Sequence, residues 1–277
     1  MKIVSDSASS LFFLEDVAFE SVPLKILTDE KEYIDTPALN VEQMVHELAQ
    51  VKGKTSTSCP NVYDWTSAFE DSEEIFAVTI TSNLSGSYSA AMQAAKEYTE
   101  LHPESKIHVI DSLSAGAEMI LIIQKLRALI LKGLCFEEIK EQITAYTAHT
   151  HLLFTLESLN NLARNGRVSP AVAKVAGVLG IRVVGKASDV GTLEPLHKCR
   201  GEKSALACIV KEMKQTGYNG GTMHIIHCLN ENAAKMLCTL ILAEFPHADV
   251  RISPCTALCS YYAEKGGMLI GFEDQSA

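Results

Sequence analysis

No run of lysine or arginine occurs in this chain, whose 24 basic residues stand against 34 acidic ones for a net charge of −10. A nucleic-acid backbone or an anionic membrane surface is repelled by that balance, so neither is expected as a main partner. An uncharged lipid tail is left open. No apolar stretch is long enough to span a bilayer: the most hydrophobic one, residues 119–131, is interrupted by Gln124, Lys125 and Arg127 and reads as a buried crossover helix, without stable membrane insertion. Met1-Lys2-Ile3-Val4-Ser5-Asp6 goes straight into a strand with no leader pattern, and a cytoplasmic protein is expected. The eight cysteines are scattered singly and form no C-x-x-C pair, which fits reduced thiols and argues against a disulfide framework or a structural zinc site; no metal is expected. Cys255 and Cys259 read as small core residues, and His149-Thr150-His151 as a helix-to-strand junction.

The glycine signatures of nucleotide and acyl-transfer sites are absent too. Gly53-Lys54-Thr55-Ser56 resembles the end of a P-loop, but Leu48 stands where that motif needs its first glycine. No G-x-G-x-x-G follows the first strand. Around Ser85, Asn83 and Ser87 occupy the positions that a nucleophile elbow fills with glycine. A catalytic serine also needs a positioned base, and none of the nine histidines lies near Ser85 in sequence. A hydrolase or acyltransferase using Ser85 is therefore the competing reading, decided by whether a histidine reaches its hydroxyl. No pair of carboxylates stands out as an acid/base couple, and no cofactor is expected.

What is present is a well-filled core and a regular alternation. The apolar content is 47% and the mean hydropathy +0.10, ample for two domains sharing a cleft. Strand patterns at 2–5, 22–27, 74–80 and 107–110 alternate with helical ones at 41–51, 62–69, 87–101, 115–132 and 136–147. An α/β fold with an N-terminal, doubly wound, mainly parallel sheet over residues 1–150 follows. Beyond it, strands at 152–156, 180–186, 192–199, 222–229 and 249–253 and helices near 204–215 and 231–245 give a C-terminal α+β sandwich over 151–277. Ile181 to Cys199 reads as a hairpin turning at Ser188-Asp189-Val190-Gly191.

Chemistry concentrates in hydroxyl clusters. Thr81-Ser82-Asn83-Leu84-Ser85-Gly86-Ser87-Tyr88 links a strand to a helix and offers backbone N–H groups and neutral O–H donors to an anion. Thr55-Ser56-Thr57-Ser58-Cys59-Pro60 is a second cluster, while Ser5-Asp6-Ser7-Ala8-Ser9 and Asp111-Ser112-Leu113-Ser114 end two further strands. Each alone is ordinary helix capping; side by side they mark the carboxyl edge of a sheet, where ligands bind. The pattern predicts a carboxylate or phosphate held without a metal and without a dedicated cation. For a fatty acid, each charge-assisted hydrogen bond returns about 1.5–3 kcal/mol, and roughly fifteen methylenes at ~0.8 kcal/mol each add a gross ~12 kcal/mol.

In order and spacing, these residues resemble the DegV family of bacterial fatty-acid-binding proteins, whose best-understood members are the carrier subunit of fatty acid kinase. The resemblance spans the chain and rests on Ser5-Asp6-Ser7, Thr57-Ser58-Cys59-Pro60, Ser82-Asn83-Leu84-Ser85-Gly86-Ser87-Tyr88, Val109-Ile110-Asp111-Ser112, Leu162-Ala163-Arg164-Asn165-Gly166-Arg167-Val168-Ser169 and Arg200-Gly201-Glu202-Lys203. It implies that Thr57, Ser58 and Ser85 lie at the carboxylate with Asn83 and Gly86 adjoining. It also implies that Arg200 faces the kinase catalytic subunit, the partner that phosphorylates the bound long-chain fatty acid. Gly166-Arg167 reads equally well as a turn glycine followed by a surface arginine. One departure stands near the C-terminus. Where many members carry a histidine before a G-P-G turn, this chain has Ser260-Tyr261-Tyr262-Ala263-Glu264-Lys265-Gly266-Gly267, so Tyr262 is expected at the carboxylate as a neutral donor. A lipid sensor acting on another partner is a third reading.

Overall fold

The computed structural model describes residues 1–170 and 180–274; residues 171–179 and 275–277, which belong to the second expected unit, lie outside the described residues. The first half runs β1 (Lys2–Asp6), β2 (Ala18–Val22), β3 (Lys25–Thr28), β4 (Glu32–Ile34), α1 (Val41–Leu48), β5 (Thr55–Ser58), α2 (Val62–Phe69), β6 (Glu74–Thr79), α3 (Ser87–Leu101), β7 (Lys106–Asp111), α4 (Ala117–Leu131) and α5 (Phe136–Thr147). There follow β8 (Thr150–Leu156), α6 (Asn160–Arg164), β9 (Ile181–Ala187), β10 (Leu193–Arg200), α7 (Glu202–Gln215), β11 (Thr222–His227), α8 (Glu231–Glu244), β12 (Asp249–Pro254), α9 (Ala257–Ala263) and β13 (Met268–Glu273).

The strands β2-β1-β6-β7 form a four-stranded, wholly parallel sheet. Both of its faces are covered, so its central strands β1 and β6 are buried almost throughout instead of alternating. Ile3, Phe76 and Val78 face α4 and α5, packing on Met119, Ile122, Ile139 and Ile143. One residue along, Val4, Ile75 and Ala77 face α2 and α3, packing on Trp65, Phe69, Ala91 and Ala94. This is the doubly wound arrangement that the alternation predicts.

The second sheet has six strands in the order β10-β9-β8-β13-β11-β12, antiparallel except for β11 beside β12. One face, with Leu153, Ile225, Ile270 and Phe272, packs on Leu206, Ile209, Leu237 and Ile241 of α7 and α8. The other, with Leu152, Phe154 and Ile226, packs on Ala117 and Ile120 of α4. That helix therefore serves both sheets, which explains why its apolar residues point all round instead of along one stripe. Among the described residues no helix is long and apolar enough to cross a membrane.

Two departures from the sequence pattern bear on the site. Residues 22–27 read as one strand, but the chain breaks at Pro23, which lacks an N–H for a ladder. The Leu24 N–H instead donates to Ser7 Oγ at 3.0 Å, and the chain turns from β2 into β3. Thr55–Ser58 is a strand as well, antiparallel to β3 in a three-stranded sheet ordered β4-β3-β5. Ile26 and Tyr33 of that small sheet pack on Met44 of α1 and on Ala257 and Tyr261 of α9.

Candidate functional site

The loop between β6 and α3 is held from both sides by carboxylates at the ends of neighbouring strands. Asp6, fully buried at the end of β1, accepts the Ile80 N–H at 3.0 Å and the Ser87 hydroxyl at 2.6 Å through one oxygen, and the Ala8 N–H at 3.2 Å through the other. Burial pushes this carboxyl up to about 7 against those three hydrogen bonds. On the other flank Asp111 accepts the Ser82 and Leu113 N–H groups, each at 3.1 Å. The aspartates of the first and third strand ends thus brace the loop, and only the middle cluster turns toward open space.

That space is a cavity of about 280 Å³ between the two sheets, near the lower end of small-molecule sites. Its walls are mainly apolar. Leu152, Phe154 and Leu156 reach it from alternate positions of β8, with Leu193, Leu269, Leu162, Ile80, Leu24 and Leu258 around them. Its polar groups belong to one connected patch: Thr57 and Ser58 of β5, Ser85 and Gly86 of the loop, Arg167, and Tyr262 of α9. Thr57 Oγ1 and the Tyr262 hydroxyl share a hydrogen bond of 2.7 Å. Gly86 lets the loop close on β5, since a Cβ there would stand 3.3 Å from Cys59 Sγ. The first turn of α3 begins at this point, with its N–H groups and positive dipole end beside the patch.

Arg167 owes its position to a helix end. α6 closes with the Gly166 N–H on Ala163 O at 3.0 Å and the Arg167 N–H on Leu162 O at 2.8 Å. This is a Schellman turn, with Gly166 at φ +73° as its left-handed residue. The turn aims Arg167 across the cavity, where Nε donates to Leu84 O at 3.1 Å and Nη1 to Asn165 O. The site therefore contains a cation beside its hydroxyls, correcting the expectation of an anion held by neutral donors alone. The arginine stays charged at any physiological pH.

α9 is positioned from a distance. Asp35, buried after β4, accepts the Ala257 and Leu258 N–H groups at 2.8 and 3.0 Å and the Thr256 hydroxyl at 3.1 Å. It thereby satisfies two of the N–H groups that a helix start leaves without partners.

A family model described as uncharacterised protein, DegV family, matches residues 1–274. The chain belongs to the DegV family. It is 44% identical over 276 residues to a DegV domain-containing protein of Streptococcus pneumoniae, covering 98% of each chain. Among solved structures it is similar to a DegV family protein from Eubacterium eligens loaded with heptadecanoic acid, at 43% identity, TM-score 0.97 and 99% of both chains. It is also similar to the fatty acid kinase (Fak) B3 protein of Streptococcus pneumoniae loaded with linoleic acid, at 43% identity, TM-score 0.96 and 98% of both. The α/β architecture is that of these DegV structures.

Within this DegV chain, five of the six residues singled out for a carboxylate line one cavity: Thr57, Ser58, Ser85, Gly86 and Tyr262. Asn83 stands apart from them. It is exposed, and its amide donates to Val190 O at 2.6 Å. The hairpin tip that holds Val190 also brings Gly191, at φ +76°, against Thr81, where a Cβ would meet Oγ1 at 2.1 Å. Asn83 therefore ties the loop to the second sheet. Of the two tyrosines, Tyr262 faces the cavity, and burial raises its hydroxyl above its ordinary pKa. Tyr261 turns away, bonding Thr55 Oγ1 at 2.7 Å and accepting from Asn165 at 2.9 Å. Arg200 is exposed at the end of β10. Ser85 Oγ accepts the Ser87 N–H at 3.3 Å, and no histidine is among the described residues lining the cavity. Arg167 and Asp35 went unassigned in the sequence reading; only the Leu-Ala-Arg-Asn-Gly-Arg segment carried a signal for the first.

Proposed function

We propose that this DegV protein binds a long-chain fatty acid, with its carboxylate among Thr57, Ser58, Ser85, Gly86, Arg167 and Tyr262 and its acyl chain between the sheets. The observation that carries the reading is the distribution of polarity in one cavity: hydroxyls, a helix start and a guanidinium on a single connected patch, and leucine and phenylalanine elsewhere. A buried carboxylate is tolerated only where it is hydrogen-bonded and its charge is balanced, and a tail is retained by apolar burial. The fatty acids in the Eubacterium eligens and Streptococcus pneumoniae proteins support the assignment.

On this reading residues 1–150 supply the hydroxyl-bearing headgroup loops, and residues 151–277 close the tunnel and add Arg167 and Tyr262 to the headgroup. The protein is a carrier, acting in the cytoplasm without a cofactor, and it presents the carboxylate to a fatty acid kinase catalytic subunit that converts it to an acyl-phosphate. Arg200 belongs to the surface meeting that partner. With no histidine among the described residues lining the cavity at Ser85, a carrier is favoured over a hydrolase. Organic extraction and mass spectrometry of the purified protein, beside a Thr57→Ala/Ser85→Ala variant, test the binding step. Near-stoichiometric C14–C18 acid, depleted in the variant, is expected; lipid-free protein that takes up no added acid would overturn the reading. Arg200→Glu should retain lipid yet slow acyl-phosphate formation with the kinase, and unchanged turnover would remove Arg200 from that surface.

A further inference from the structure

A second group of chemically competent side chains is built between β10 and α7. His197 and Cys199 stand two residues apart on the strand and so share its face; Cys208 and Glu212 stand four apart on the helix and share a face there. The helix packs on the strand and the two faces meet. His197 Nε2 lies 2.9 Å from Glu212 Oε1. Donor atoms of His197, Cys208 and Glu212 all fall within 4.8 Å of one another.

We propose that this cluster binds a thiophilic divalent cation of the zinc class, with His197, Cys208 and Glu212 as ligands and water in the fourth position. A tetrahedral ion with bonds of about 2.0–2.3 Å holds its donors roughly 3.3–3.8 Å apart, so the side chains need only small adjustments. A thiolate and an imidazole select zinc over magnesium or calcium, which take oxygen ligands. The absence of any C-x-x-C is no obstacle, because a strand histidine facing C-x-x-x-E on a helix places the donors as closely.

Access agrees with this assignment. The His197 side chain is 43% exposed and provides the entry path. None of the three ligands lines the lipid cavity, so metal and lipid occupancy can be measured separately.

The test uses the full chain, purified with chelator and reductant and then given one equivalent of Co²⁺. A near-ultraviolet thiolate-to-cobalt charge-transfer band with tetrahedral visible bands is expected, both erased by Zn²⁺. The band should vanish in Cys208→Ser. In His197→Gln/Glu212→Gln, whose side chains sit on the rim, Zn²⁺ affinity against a chromophoric chelator should fall by more than the roughly tenfold that losing even an outer hydrogen-bond partner costs, with fatty acid content unchanged. If Cys208→Ser fails to fold, this double variant decides. A featureless Co²⁺ spectrum, a band that survives Cys208→Ser, or Zn²⁺ affinity equal in wild type and double variant would each overturn the proposal. So would a Cys199–Cys208 disulfide recovered from reduced preparations.

Discussion

Replacing Arg167 with methionine separates the headgroup contribution from the tail. Methionine keeps most of the apolar stem and removes the guanidinium, whose Nε and Nη1 are fixed on Leu84 O and Asn165 O. Because those bonds hold the group in place before any ligand arrives, little side-chain entropy offsets its contact with a carboxylate. One charge-assisted hydrogen bond contributes about 1.5–3 kcal/mol, so retention of a C16 acid should weaken about 10- to 150-fold. Arg167 is half-buried, and solvent screening favours the lower part of that range. The assay is titration of delipidated protein with a fluorescent fatty acid, repeated with the alcohol of equal chain length. The alcohol carries no charge and should bind wild type and variant within about twofold, since tail burial is common to both. Acid binding unchanged by Arg167→Met, or acid and alcohol weakened together, would show that the arginine acts on the shape of the cavity and not on a carboxylate.

Tyr262→Phe removes the partner of Thr57 Oγ1 and should lower the unfolding free energy in urea by about 0.5–1.5 kcal/mol; a loss within error would show that the pair is solvated. Asp35→Ala leaves the Ala257 and Leu258 N–H groups without their acceptor, at roughly 1–3 kcal/mol for each buried group, while the Thr256 hydroxyl keeps Ser7 O at 3.2 Å. Both stability and lipid retention should therefore fall, and a variant with normal lipid content would separate the α9 start from Tyr262 placement. Glu118 is fully buried and accepts the Thr150 hydroxyl at 2.8 Å, and burial raises its pKa from 4.5 to about 7. Between those values the folded protein keeps a proton that the unfolded chain has released. The stability this provides is complete below about pH 4.5 and is lost as pH rises through about 7. Glu118→Gln should remove up to about 3 kcal/mol of that decline, at roughly 1.4 kcal/mol per tenfold change in proton affinity, measured by urea unfolding at several pH values; an unaltered slope would refute the assignment.

Most strands and helices were legible because their signals are local, whereas β2, β4 and β13 were not read as strands. Ile3, Phe76 and Val78 alternate with Val4, Ile75 and Ala77 within short windows, and Asn40 and Asn61 cap the starts of α1 and α2. β5 was hidden because Thr55–Ser58 has no apolar alternation; it is a strand through pairing with β3, some thirty residues earlier. α9 was hidden for the opposite reason: nearly every residue from Ala257 to Ala263 is buried, so no polar face marks a helix. Within the site, the hydroxyls were visible as clusters but their orientation was not. Asn83 sits amid the motif yet bonds Val190 of the hairpin tip, because the neighbour that claims its amide is more than one hundred positions away. Arg167 was ambiguous for the same reason: a Schellman turn fixes the direction of a side chain relative to its helix, and only tertiary packing decides what lies in that direction.

The central place of β13 in the second sheet governs how the molecule can be made. Flanked by β8 and β11, this strand is the last among the described residues, and α9 with Tyr262 immediately precedes it. During translation the parallel sheet can assemble while β8, β9 and β10 wait beside an open edge for a neighbour not yet synthesised. Unpaired edges and exposed leucines invite association with other chains. A nascent chain stalled before Met268 would thus lack both the strand that joins the halves of its sheet and a closed wall behind the cavity, so the cavity is complete only once β13 has paired.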